Sequence, residues 1–88
     1  MTVYMAERNL QGMGVDDLAA AQRRAIDTAR AMSGDGTPVR YLRSTFVPSD
    51  GRCECLFEAD SAEVVRQLND KANLPYTRVI EAMDLTPP

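Results

Sequence analysis

The chain has 88 residues and a formal charge of −3, its 10 basic and 13 acidic residues intermixed, so there is no basic stripe for a phosphate backbone and no nucleic-acid partner is expected. No apolar run approaches the roughly 20 residues that span a bilayer, and the start MTVYMAER lacks the basic and apolar regions of a secretory leader, which excludes a membrane partner and points to the cytoplasm. This length supports one domain, residues 1–88, whose small core would gain from a partner covering a second face.

Residues 2–8, TVYMAER, read as a first strand, ended by the turn glycines of NLQGMG. From Asp16 to Met32 the spacing turns helical. Leu18, Ala25, Ile26, Ala29 and Met32 share a broad face, and Asp16 and Asp17 stand where the helix dipole favours carboxylates. This helix is expected to stop at Ser33-Gly34. Val39–Val47 and Arg52–Ala59 read as two strands joined by the turn residues Pro48-Ser49-Asp50-Gly51. Ser61 suits the N-cap of a second helix running to about Ala72, with Val64, Val65, Leu68 and Ala72 as its buried stripe and Asn73 as a left-handed stop. Pro75 prevents continuation, Thr77–Leu85 reads as a last strand, and the Thr-Pro-Pro end as a loose tail.

The order βαββαβ predicts an α+β, ferredoxin-like fold: an antiparallel sheet ordered 4-1-3-2 with both helices on one face. The term is topological, since two cysteines alone cannot ligate an iron-sulfur cluster.

Alternation along the hairpin decides what its cysteines do. A loop of two residues, Asp50-Gly51, or of four, Pro48 to Gly51, puts Leu42, Ser44, Phe46, Cys53, Cys55 and Phe57 on one face. Tyr41, Arg43, Thr45, Glu54, Leu56 and Glu58 fall on the other. The first set is apolar and is expected to meet the helices, with both thiols reduced and packed as small hydrophobes. Soft-metal sites generally want three or four thiolate or imidazole ligands, and this chain has two thiols and no histidine, so no metal ligands are assigned. Nor is any cofactor expected. The carboxylates Glu7, Glu54, Glu58 and Glu81 would at most hold a hard divalent metal weakly.

The second face is mixed. With the two-residue loop, Arg43 stands across from Glu58, and strands one and four are apolar on both sides, which calls for cover on both. The expectation is a homodimer through this sheet face, with a small-molecule pocket between the layers lined by Glu7, Arg8, Tyr41, Arg43 and Glu58.

Several segments also carry a family resemblance. YMAER (Tyr4 to Arg8), VRYLRS (Val39 to Ser44), Asp50-Gly51, CLFEA (Cys55 to Ala59), SAEVV (Ser61 to Val65) and NLPYTRVIE (Asn73 to Glu81) recur in this order in a small bacterial family of nickel-binding proteins with a ferredoxin-like fold. The chain resembles that family over nearly its whole length. The resemblance implies the fold and a binding role. It also places a histidine, in relatives, near the positions held here by Gln67 to Asn69. Ni(II) is suited by imidazole, which this chain lacks, so nickel itself is not carried over.

Two functions follow as expectations. The first is a small dimeric binding protein. The alternative is a cofactor-free isomerase, cyclase or oxygenase of the dimeric ferredoxin-like type, with Glu58 or Glu7 as general base, Arg43 stabilising an enolate-like anion and Tyr41 orienting the substrate. Hydrolase and nucleotide-binding classes find no support, for there is no Gly-x-Ser-x-Gly, no P-loop and no histidine to activate a nucleophile.

Overall fold

A computed structural model describes residues 1–88. Strand β1 is Thr2–Asn9, helix α1 Val15–Gly34, β2 Val39–Phe46, β3 Arg52–Ala59, α2 Ala62–Lys71 and β4 Arg78–Ala82. All pairings are antiparallel in the order β2-β3-β1-β4, which is 4-1-3-2 read from the β4 edge. The last strand is shorter than the expected 77–85. It pairs only with β1, and that ladder ends at Val3↔Ala82, so residues beyond Ala82 have almost no strand left to bond.

The elements end where the residue chemistry stops them. Ser61 accepts the Val64 amide at 3.3 Å as N-cap of α2. Asn73 follows its C-cap at φ 57°, with Asn73 N–H to Asp70 O at 3.1 Å and Leu74 N–H to Asn69 O at 2.9 Å, the two bonds of a Schellman motif. The hairpin uses the four-residue loop: the Val47 amide donates to Arg52 O at 2.8 Å, and Gly51 turns at φ 77°. Gly51 is also fixed from outside, because a Cβ there would collide with the backbone of Gln11, while Leu10 N–H donates to Gly51 O at 2.7 Å.

Both helices share a core with one face of the sheet. Ala6 and Arg8 of β1, Cys53, Cys55, Phe57 and Ala59 of β3 and Val79 of β4 are buried there, against Ala21, Ala25, Ala29 and Met32 of α1 and Val65 and Leu68 of α2. The α1 stripe differs from expectation: Leu18 and Ile26 are only half-buried, and the seam is built on alanines one turn apart. Helix α1 packs chiefly on β2, whereas α2 covers β1, β3 and β4. An Arg24 Nε–H bond to Ala72 O, 3.1 Å, ties α1 to the end of α2.

Candidate functional site

Where α1 crosses the sheet, small side chains face one another. Ala19, Ala21 and Ala25 of the helix lie opposite Ser44, Cys53 and Cys55 of the strands, and the volume they leave is a cavity of about 250 Å³. Leu10, Val15, Leu18, Phe46 and Leu74 make its walls apolar, while Arg8, Gln22 and Tyr41 bring in the polar groups. A pocket of this kind, mostly apolar with a few convergent polar atoms, is the ordinary form of a small-molecule site.

Those polar atoms form a directed chain. Gln22 Nε2 donates to Tyr41 Oη at 3.0 Å, Tyr41 Oη lies 2.6 Å from Ser44 Oγ, and Ser44 Oγ donates to Cys55 Sγ at 2.9 Å. A serine hydroxyl has one proton, so with that proton on the sulfur the tyrosine must be the donor to Ser44. Cys53 Sγ lies 3.9 Å from Cys55 Sγ on the same face of β3. Each of these donors therefore converges on one sulfur.

Arg8 completes the cluster. It is 4% exposed, its Nη1 donates to Pro75 O at 3.0 Å, and its Nη2 has no acceptor. The hydrogen bond from Cys53, the guanidinium of Arg8 and the Ser44 hydroxyl hold the Cys55 thiol well below its ordinary range, to about 6, although burial works the other way. Cys53 is driven in the opposite direction, since it keeps the proton shared with Cys55 and lies in apolar surroundings. The pair thus gives up its first proton more readily than an ordinary thiol and its second less readily, beside a buried cation.

The five residues expected to line one pocket are split between the two faces. Glu7, Arg43 and Glu58 lie on the helix-free face, whereas Arg8 and Tyr41 lie on the helix face. A β-bulge between Tyr41 and Arg43 is the cause for Tyr41. The four-residue loop sets Arg43 opposite Leu56, and with Leu42 as the extra residue Tyr41 then stands opposite Phe57. Tyr41 packs edge-on against Phe57, ring centroids 5.6 Å apart, in the place foreseen for Leu42. For Arg8, alternation from the buried Ala6 carries the side chain inward.

The expected Arg43–Glu58 pair is also replaced. Arg40 meets Glu58 at 3.0 Å, Arg43 holds Asp84 at 2.7 Å and Arg78 holds Glu7 at 2.7 Å. The proposed base, anion stabiliser and substrate-orienting residue do not come together. Glu7 and Glu58 are engaged in surface ion pairs, and the Tyr41 hydroxyl points into the opposite layer.

Both cysteines are buried on the helix side, as alternation requires. The acidified member is the feature sequence reasoning missed, because the guanidinium responsible comes from another strand. One signal was present: an alanine-rich helix face set against a Cys-x-Cys strand marks two surfaces too small to fill the space between them.

Among solved structures the chain is similar to SCO4226 from Streptomyces coelicolor A3(2), 22% identical, with 96% of this chain and 99% of that one covered and a TM-score of 0.77, a likeness of fold. Comparison with curated proteins gives no match. The family model described as nickel responsive protein SCO4226-like matches residues 4–82, nearly the whole sequence, and the chain belongs to that family.

Proposed function

We propose that this protein binds a compact, mainly apolar small molecule carrying one hydrogen-bond acceptor, in the cavity between α1 and the sheet. The observation behind this reading is the buried Arg8 guanidinium, with a donor nitrogen lacking any acceptor, at a 250 Å³ apolar space. A buried cationic donor left unmatched costs free energy, and a carbonyl or carboxylate oxygen would recover it. Cyclohexanone is a probe of suitable size. Titrated into isotope-labelled protein, it should shift the NMR signals of Leu18, Ala25, Phe46 and Leu74 together; shifts scattered over the surface would count against the reading.

Nickel, the metal in the family's description, meets a poor donor set in one copy of this chain. There is no histidine, and no three of His, Cys, Asp and Glu lie close enough together to hold an ion. Two buried thiols do not make the tetragonal nitrogen and oxygen set that Ni(II) prefers.

The open sheet face supports a homodimer. Leu56, Met5 and Ile80 form a continuous row across β3, β1 and β4, with Val3 and Ala82 beside it, and the three ion pairs involving Glu58, Asp84 and Glu7 stand around them. An apolar centre with a charged rim is the anatomy of a protein interface, and a second copy presents the same face. In this assembly Glu7, Arg43 and Glu58 lie at the seam. Sedimentation equilibrium should give twice the chain mass for the wild type and the chain mass for Leu56→Asp; a monomeric wild type at micromolar concentration would refute the dimer.

A further inference from the structure

We infer that Cys55 is a nucleophilic thiolate that captures small α,β-unsaturated carbonyl compounds inside the cavity between α1 and the sheet. This goes beyond reversible binding and rests on that reading in one respect, that small molecules reach the cavity.

Three geometric facts lead to it. The first is the one-way chain Gln22, Tyr41, Ser44, Cys55, in which every proton is turned toward the sulfur. The second is Cys53, 3.9 Å away and able to donate the remaining proton. The third is Arg8, the only charged side chain lining the cavity. From α1 the site sees only Val15, Leu18, Ala19, Ala21, Gln22 and Ala25, from β2 Tyr41, Ser44 and Phe46, and beyond β1 and β3 Leu10 and Leu74, none of them acidic. Glu54 belongs to the opposite sheet face. Negative charge in this space therefore has one cation and several hydroxyl and thiol donors to stabilise it, and no carboxylate against it. The lowered thiol value of Cys55 agrees with that arrangement.

The class of electrophile follows from the same groups. When the thiolate lone pair forms a C–S bond at the β carbon of an enone, the π pair of the C=C bond moves to the α carbon and carbonyl oxygen. Charge passes from sulfur to that oxygen and stays beside Arg8, whose Nη2 has a hydrogen to give. The α carbon then takes the Cys53 thiol proton, and Cys53 regains one from solvent. The sum is addition of sulfur and one hydrogen across the double bond, with no oxidant or reductant. The walls are apolar, which suits the carbon body of such a molecule and admits few competing hydrated nucleophiles.

An acidified thiolate is more abundant but less nucleophilic, so the advantage shows at low pH. At pH near 6 the thiolate fraction exceeds that of an ordinary thiol by roughly 200-fold, the intrinsic loss is about 20-fold, and a net gain of about tenfold remains. The test is reduced full-length protein incubated with cyclohex-2-enone and followed by intact mass and peptide mapping. One addition per chain is expected, at Cys55. At pH near 6 it should run about tenfold faster than with N-acetylcysteine. Its rate should be half-maximal close to pH 6 and flat above neutrality.

Cys55→Ser should abolish the adduct. Ser44→Ala, a milder change that leaves both cysteines, should move the half-rate point upward and raise the plateau rate above it, since a more basic thiolate is also more nucleophilic. A rate that keeps climbing through pH 9, or equal labelling of Cys53, would overturn the inference. If cyclohexanone produces its cavity shifts while cyclohex-2-enone forms no adduct, the thiolate proposal fails and the binding reading stands. If neither engages the native chain and the enone labels only urea-unfolded protein, both fail.

Discussion

At the level of single residues, the site depends on positions whose roles are set by what lies across from them in space. Gly51 turns the β2–β3 hairpin with positive φ and is pressed against the backbone of Gln11, so it joins the hairpin to the loop that starts the cavity wall at Leu10. A methyl group there meets both a disfavoured φ and a collision with backbone that has no flexible end to yield. The first costs about 1 kcal/mol and the second about 1–3, so Gly51→Ala is expected to destabilise the chain by roughly 2–4 kcal/mol in urea unfolding. A loss below about 0.5 kcal/mol would mean that the Leu10–Gln11 loop moves freely, and the wall it forms would not be a fixed one. Arg8 shows the opposite situation, a charged residue drawn inward by strand alternation, with the Pro75 carbonyl on Nη1, no acceptor on Nη2 and the Cys55 sulfur rather than a carboxylate beside its charge.

The elements themselves were largely legible in the sequence. Apolar periodicity, Ser61, Asn73 and the Pro48–Gly51 turn fix the helices and the hairpin within a residue or two, because capping and turn chemistry act over a few neighbours. Two of the misread features lie in this hairpin: the side of the sheet taken by Tyr41 follows from the bulge at Leu42, and the partner of Arg43 follows from the four-residue loop, which sets Arg43 opposite Leu56 rather than Glu58. A bulge is one residue inserted into a ladder, and no local pattern in VRYLRSTF announces it. The cavity left one trace in the sequence, the small residues on α1 and on the hairpin, and that trace gains meaning only when topology sets them face to face. That origin can be tested. Ala21 is buried on the cavity wall, and Ala21→Leu places extra methyl groups in existing space rather than in packed core. Filling it should leave stability unchanged or raise it by about 1 kcal/mol in urea unfolding, while cyclohexanone no longer shifts the cavity resonances. A loss of several kcal/mol would instead show that the wall closes onto this space in solution.

For the whole molecule, the thiol pair makes folding stability depend on pH in a window where little else titrates. The chain has no histidine, the side chain whose ordinary range falls in this window, so the two thiols carry the dependence. The unfolded chain keeps both thiol protons until about pH 8.5, whereas the folded chain has released the one on Cys55 above about 6. Across that interval the unfolded state binds more protons, and stability must rise with pH, by up to roughly 1.4 kcal/mol per unit. Above it the order reverses: the unfolded state sheds both protons while Cys53 in the fold retains its own, so stability falls again. Below about 6 the thiolate is lost, and Arg8 is left as a buried cation with the Pro75 carbonyl as its one hydrogen-bonded acceptor, the unfavourable half of a broken pair. Urea midpoints measured on reduced protein at one chain concentration should therefore climb from pH 6 to a maximum near 9 and then drop. In Cys55→Ser the climb should be absent, since Cys53 alone has no reason to ionise early. A wild-type midpoint that stays level from pH 6 to 8 would show that the fold does not hold a thiolate under Arg8.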